Sequence, residues 1–232
     1  MRDGARIGVV IPALNEVNAI GRVIADIPAW VDRIIIADNG STDGTGDAAQ
    51  AAGATVVVER EKGYGAACLA GIAALGLGAV DIVVFLDGDY SDHPGDMADL
   101  VDPIAGGTVD FALASRAIGE RETGSLTPQQ MFGNWLATTL IALIWKQRYT
   151  DLGPFRAIRK SSLDALAMAD RNYGWTVEMQ IKAAEQKLRI LEVPARYRRR
   201  IGVSKVSGTI KGTIMAGYKI LYVIGRHALR LG

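Results

Sequence analysis

The sequence predicts an α/β fold, a mostly parallel sheet flanked by helices, and three observations carry that expectation. Short Val/Ile-rich runs alternate with helix-like stretches through the first half of the chain. Each run is brief and bounded by turn residues, as buried strands are. Each run also ends in a polar stretch, and in parallel sheets ligands bind beyond the carboxyl ends of the strands.

The elements follow in order. Residues 7–11 form the first apolar run, ending at Pro12, and residues 33–37, 55–58 and 81–86 form the next three. Between them lie helix-like segments near 16–27, 43–51 and 66–75. A fifth strand over 110–114 ends in Ser115-Arg116. The polar, Gly-containing stretch 119–130 reads as a mobile loop. Residues 132–145 make a strongly apolar helix with Trp135 and Trp145, residues 151–159 a turn into a short strand, and residues 175–186 a helix. An extended segment over 188–200 and a long helix over 209–229 complete the chain.

Length and composition bound the function. A chain of 232 residues with 49% hydrophobic residues suffices for one domain with a sizeable core. The expected division is a main domain over 1–206 and an amphipathic helix over 207–232. Cys68 is the single cysteine, which excludes a disulfide framework and a Cys-based zinc site and suits a reducing cytoplasm. No secretory leader is expected at the start, and no stretch reaches the roughly 20 apolar residues that span a bilayer. Net charge is +1, yet the segment 189–230 holds ten bases and one acid, leaving sixteen bases against twenty-four acids elsewhere. A basic tail on an acidic body suits an anionic partner such as nucleic acid, a phosphorylated ligand or lipid headgroups; a solvated basic face has the same composition.

The strand ends carry the chemistry. They are Pro12-Ala13-Leu14-Asn15-Glu16, then 38–45 (Asp-Asn-Gly-Ser-Thr-Asp-Gly-Thr), then 59–65 (Glu-Arg-Glu-Lys-Gly-Tyr-Gly), then Asp87-Gly88-Asp89. Two carboxylates two residues apart in a turn can face one cation, and Mg²⁺ or Mn²⁺ prefers oxygen ligands and bridges to phosphates. Gly88 is expected to remove a side chain that would crowd the approach. Asp and Gly are also ordinary turn residues, so the placement of all four motifs at strand ends is the signal. Asn15 and Glu16 offer groups for a base edge or ribose, and equally suit a helix start. Gly63-Tyr64-Gly65 is no dinucleotide fingerprint, because Cys68 stands where its third glycine would fall; such a loop at a helix start still presents N–H groups to an anion.

With His93-Pro94, Ser115-Arg116 and the Lys62-Gly63-Tyr64-Gly65-Ala66-Ala67 run, these motifs resemble the family 2 glycosyltransferases, and within them the polyprenyl-phosphate (dolichyl-phosphate) sugar synthases, over nearly the whole chain. The resemblance implies a GT-A fold and an inverting, metal-dependent transfer of a hexose from UDP-glucose or GDP-mannose to a polyprenyl phosphate. It implies that Pro12, Ala13, Asn15, Glu16 and Asp38, with Lys62, Gly63 and Gly88, bind nucleotide, and that Asp87 and Asp89 hold Mg²⁺ or Mn²⁺ on the diphosphate. Many members carry two aspartates where this chain has Asp38-Asn39, so only Asp38 is expected to bear the recognition role.

The acceptor side is basic. The stretch from Tyr197 to Lys205 resembles the Arg-rich Gly-x-Ser-Lys segment of those synthases, where basic residues grip phosphates. Arg116, Arg200, Ser204 and Lys205 are the candidates; alternation along an extended chain favours Arg200 over Arg199. A phosphate acceptor is already ionised, so positioning and charge do most of the work. A hydroxyl acceptor needs a carboxylate base, for which Asp151 and Glu178 are candidates; either also suits loop ordering or a pair with Arg156.

The helix over 132–145 would extend about 21 Å, short of the roughly 30 Å hydrocarbon core. It either rests at a membrane interface through its tryptophans or covers the sheet. In the last helix Lys211, Lys219 and Arg226 share about 80° of arc, with Ile210, Ile214, Tyr218, Leu221 and Ile224 on another face. That pattern suits an interfacial helix on the inner face of a membrane, or a homodimer contact. The alternatives are a soluble transferase with a saccharide or small-metabolite hydroxyl acceptor, a nucleotidyltransferase, for which no Gly-rich basic loop stands early in the chain, and, last, a nucleic-acid-binding module.

Overall fold

A computed structural model describes residues 1–202 and 210–229. Its sheet has seven strands: β1 (Ile7–Ala13), β2 (Arg33–Asp38), β3 (Thr55–Val58), β4 (Ile82–Phe85), β5 (Phe111–Ser115), β6 (Arg156–Arg159) and β7 (Ile190–Pro194), in spatial order β3-β2-β1-β4-β6-β5-β7. Only β6 runs against its neighbours, pairing antiparallel with both β4 and β5. The mostly parallel α/β architecture expected from the sequence is present.

Alternate residues of each strand feed opposite faces of a sheet. Ile7, Val9 and Ile11 of β1 join a core layer with Ile82 and Val84. Three helices cover that face: α1 (Val17–Ala25), α2 (Thr45–Ala51) and α4 (Met97–Ala105), α4 inserting Met97, Leu100 and Ile104. Val10, Val83 and Phe85 face the other way. There they meet α3 (Tyr64–Leu75), α5 (Pro128–Trp145), α6 (Lys160–Leu166), α7 (Trp175–Glu185) and α8 (Ile210–Ala228). Small residues let α3 approach closely: a Cβ added at Gly71 would fall 2.4 Å from Val10 Cγ1.

Four details depart from the sequence reading. Helix α5 begins at Pro128, inside the expected loop, because Thr127 and Gln130 form a reciprocal capping box ahead of a proline at the first helical position. The start of that loop is held, with Tyr197 N–H donating to Glu120 O at 2.8 Å and Glu122 N–H to Tyr197 O at 2.9 Å. Helices α4 and α6 had no counterpart in the sequence reading; Met97, Leu100, Val101 and Ile104 of α4 do recur at helical spacing, with Pro103 interrupting the pattern, and α6 is only seven residues long. Finally, Lys219 does not share a solvent-facing basic stripe: its ammonium turns inward to Asp170 at 2.9 Å, and Ile224 is buried in the core. Ile214, Tyr218 and Leu221 of the expected apolar face are exposed, together with Met215 and Tyr222. The boundary expected at 206/207, Ser204, Lys205 and the side chains of Ile210 and Lys211 lie outside the described residues.

Candidate active site

The carboxyl ends of β1, β2 and β4 open on a cavity of about 310 Å³. Pro12, Ala13, Glu16, Lys62, Gly63, Asp87, Gly88 and Asp89 of the strand-end motifs line it, with Arg200 of the basic segment. Leu14, Asn39, Tyr64, Ala67, Asn172 and Tyr173 complete the wall.

The acidic turn is the most constrained part. Asp89 is buried; its Oδ1 accepts from the Ser91 backbone N–H at 2.9 Å and from the Ser91 hydroxyl at 2.6 Å. Tyr64 donates its hydroxyl to Asp87 Oδ1 at 3.2 Å. Burial, and then the neighbouring charge of Asp89, push the Asp87 carboxyl up to about 7 against the pull of Arg200. A third acid, Asp92, is fully enclosed behind the pair and is also raised, by burial first and then by Asp87 and Asp89. An added Cβ at Gly88 would face Ile20, Ile11 and Ala13 at 3.4–3.6 Å. These are ordinary contacts, so packing against the core does not by itself require glycine at this position, which lines the cavity.

The basic segment is delivered to this turn by backbone pairing. Arg198 N–H donates to Ser91 O at 3.0 Å and Ile201 N–H to Asp89 O at 2.9 Å. Arg198 also stacks its guanidinium 3.3 Å from the centre of the Tyr90 ring and donates to the carbonyls of Tyr90 and Asp92. Tyr90 needs that support, because its φ of 66° lies in the left-handed region that bulky residues avoid. Arg200 then reaches into the cavity, with Nη1 3.1 Å from Asp89 Oδ2 and Nη2 3.0 Å from Glu16 Oε1. Arg199 points elsewhere, donating to Thr123 O. Of the three consecutive arginines Arg200 alone lines the cavity, Arg198 being turned onto Tyr90.

Other predicted residues hold the loops. Asn15, itself left-handed at φ 55°, accepts from Thr42 N–H at 2.9 Å through Oδ1, and its own N–H donates to the Ser41 hydroxyl at 2.9 Å. Buried Asp38 accepts from Ser41 N–H at 2.8 Å and does not line the cavity. Its neighbour Asn39 does, while its amide donates to Glu59 O and Glu61 O and its Oδ1 accepts from Gly63 N–H. An aspartate there would lack those two donors. Lys62 donates to the carbonyls of Asn39 and Gly40.

Neither candidate base lines the cavity. Asp151, 3% exposed, accepts from Arg116 at both oxygens, at 2.7–2.8 Å. Burial alone would raise its pKa, but Arg116, by charge and hydrogen bonds, lowers it; Arg116 is in turn raised by Asp151 despite burial. Glu178 accepts from Ala169 and Asp170 N–H and pairs with Lys182 at 2.8 Å. Of the two structural roles considered for these acids, loop ordering is the one present. The pairing with Arg156 is not: buried Arg156 bonds instead to the carbonyls of Leu152, Gly153 and Thr176.

Asn172 and Tyr173 were missed because no periodicity marks their loop. The signal lay across the cavity, in Gly63 and Gly65. A Cβ on either would fall 2.1 Å from Arg171 O or 2.0 Å from Asp170 O, so only glycine admits that backbone.

A family model described as glycosyl transferase family 2 matches residues 8–167, which include the acidic turn and every strand-end motif. The chain belongs to glycosyl transferase family 2. It is a hexosyltransferase of that family, and its similarities extend past the matched region. An uncharacterised glycosyltransferase of Mycobacterium tuberculosis is 34% identical over 222 residues, covering 92% of this chain and 95% of the relative. An undecaprenyl-phosphate mannosyltransferase of Micrococcus luteus is 29% identical over 223 residues, 89% and 90% of the two chains. Among solved structures, glucosyl-3-phosphoglycerate synthase of Mycobacterium tuberculosis, in complex with Mn²⁺, UDP-glucose and phosphoglyceric acid, superposes with a TM-score of 0.75 at 24% identity, covering 97% of this chain and 80% of that one. This family 2 chain therefore shares the GT-A architecture with that structure. Asn172, Tyr173 and Arg200 lie beyond the matched residues, so the family match does not extend to that wall of the cavity.

Proposed function

We propose that this family 2 enzyme transfers a hexose from a nucleoside-diphosphate sugar to a polyprenyl phosphate, with inversion and with a divalent cation. The observation that carries the acceptor class is the engagement of both candidate bases: Asp151 is bonded at each oxygen and Glu178 is held by two N–H groups and Lys182. A hydroxyl nucleophile needs a base, whereas a phosphate monoester is already anionic at neutral pH. The relative that acts on undecaprenyl phosphate supports the same acceptor.

The residues present fit a hard cation. Asp87 and Asp89 offer oxygen donors only, the ligand type such a cation prefers; the Asp87 carboxyl is raised by burial first and by the Asp89 charge second. Among the described residues no group of three or more His, Cys, Asp and Glu side chains is placed to hold a metal by itself. Mn²⁺ in the neighbouring structure supports a cation at the pair. Bound there, Mg²⁺ or Mn²⁺ would neutralise charge on the leaving diphosphate. Glu16, Asn39, Lys62 and Gly63 would surround the nucleotide, and Arg200, with Ser204 and Lys205, would meet phosphate. Arg116, fixed by Asp151 and stacked 5.2 Å from the Tyr197 ring, would hold the basic segment in place.

Among the described residues no helix is long and apolar enough to cross a membrane. Phe132, Trp135 and Leu143 of α5 are 58–62% exposed, beside the exposed face of α8. Together they favour a peripheral position on the inner, cytoplasmic leaflet, where a polyprenyl acceptor resides.

The test is transfer of labelled sugar from UDP-glucose and GDP-mannose, with Mn²⁺, to undecaprenyl phosphate in detergent or to 3-phosphoglycerate. A lipid product labile to mild acid and stable to base supports the proposal. Transfer to 3-phosphoglycerate alone would replace it with a hydroxyl acceptor.

A further inference from the structure

Helix α8 lies outside the family match, yet it is tied to the cavity by one ion pair. Lys219 Nζ sits 2.9 Å from Asp170 Oδ2, and Asp170 is 6% exposed. The other oxygen of Asp170 accepts from Asn172 N–H at 2.8 Å and Gly174 N–H at 3.1 Å. The same carboxylate therefore folds the loop that presents Asn172 and Tyr173 to the cavity. That loop is seated without slack on both sides. Toward α8, a Cβ at Gly174 would lie 2.7 Å from Val223 Cγ2 and 2.6 Å from Asp170 Oδ2. Toward the donor side, the Ala66 N–H donates to Arg171 O at 2.9 Å.

We propose that Lys219 and Asp170 form a positioning pair through which the C-terminal helix sets the Asn172–Tyr173 wall, and hence the donor affinity, of the enzyme. The assignment of that cavity to the nucleotide sugar rests on the function proposed above. A nearly buried carboxylate that loses its cation is left with an uncompensated charge, so it shifts toward solvent and takes its loop with it. Neither residue touches the acidic turn. The pair acts on binding through the wall and leaves the chemical step to the groups opposite.

The test compares the full-length protein with Lys219→Met, Lys219→Arg and Asp170→Asn. In the ligand-free state, hydrogen–deuterium exchange of residues 168–176 should quicken in K219M and D170N and stay near wild type in K219R. UDP and GDP, each with Mn²⁺, are then titrated calorimetrically. The nucleotide that binds wild type should bind K219M about three- to ten-fold more weakly, with K219R restoring affinity and saturated turnover nearly unchanged. Unaltered exchange in K219M overturns the proposal. So does faster exchange with unaltered nucleotide affinity, which would make the pair merely structural. Wild type binding neither nucleotide would sink the donor reading instead, while the exchange data would still decide whether α8 holds the wall.

Discussion

Replacing Arg200 by methionine removes a guanidinium that bridges two loops of the cavity. It lies 3.0–3.1 Å from Glu16 and Asp89, whose side chains are 9% and 5% exposed against 29% for Arg200. Breaking a fully buried pair costs about 3–5 kcal/mol and an exposed one about 0–1, so this half-exposed bridge is worth roughly 2 kcal/mol. In a domain of this size that corresponds to a fall in Tm of about 4–8 °C. The fall should be seen in chelator and should shrink when Mn²⁺ is added, because a bound cation restores the missing positive charge beside Asp89. Thermal unfolding followed by tryptophan fluorescence, in EDTA and in Mn²⁺, measures both. An R200M protein that melts with wild type in EDTA would refute the reasoning, as would a deficit that Mn²⁺ leaves unchanged.

Other outcomes follow from the same geometry. Arg116 holds the folded-state pKa of Asp151 below its unfolded value, so the pair stabilises the fold above the ordinary carboxylate range and that contribution is lost as pH falls through the folded pKa. Urea unfolding of Asp151→Asn should therefore show a deficit of about 3 kcal/mol at pH 7 that narrows below about pH 4; a pH-independent deficit would contradict this. Arg198→Lys should not rescue Arg198→Ala in kcat/KM, since an ammonium neither spans two carbonyls nor stacks on Tyr90 as the guanidinium does. Gly65→Ala should fail to bind nucleotide and melt early, because its methyl would meet Asp170 O; normal binding by calorimetry would show that the loop can retreat. Phe132→Ser with Trp135→Ser should lose sedimentation with anionic vesicles while keeping Tm, and self-association of the wild type in place of vesicle binding would point to a dimer face.

Much of the fold was legible because the first four strands are short Val/Ile runs whose ends carry polar motifs; burial on both faces makes β1 and β4 uniformly apolar, while the edge strand β3 owes its apolar run to β-branched residues. The start of α5 was less so: Thr127 to Gln130 spells a capping box, but its polar, Gly-containing approach reads as loop, whereas the end at Trp145 was placed correctly. The cavity's near wall was visible for the same reason as the strands. Its far wall was not, since Asn172 and Tyr173 reach it through a backbone contact with Gly63 and Gly65 that no spacing encodes. Lys219 was placed on the right helix and the wrong side, because a helical wheel ranks charge by angle and cannot see a buried aspartate waiting on another loop.

The central claim is that Asp87 and Asp89 bind the donor's diphosphate through a divalent cation. Calorimetric titration of UDP and GDP into wild type and Asp89→Ala, each with Mn²⁺ and with EDTA, tests it directly. Saturable binding of one nucleotide by wild type in Mn²⁺, lost in EDTA and lost in D89A, is the expected result. Equal affinity in all of these conditions would contradict the account.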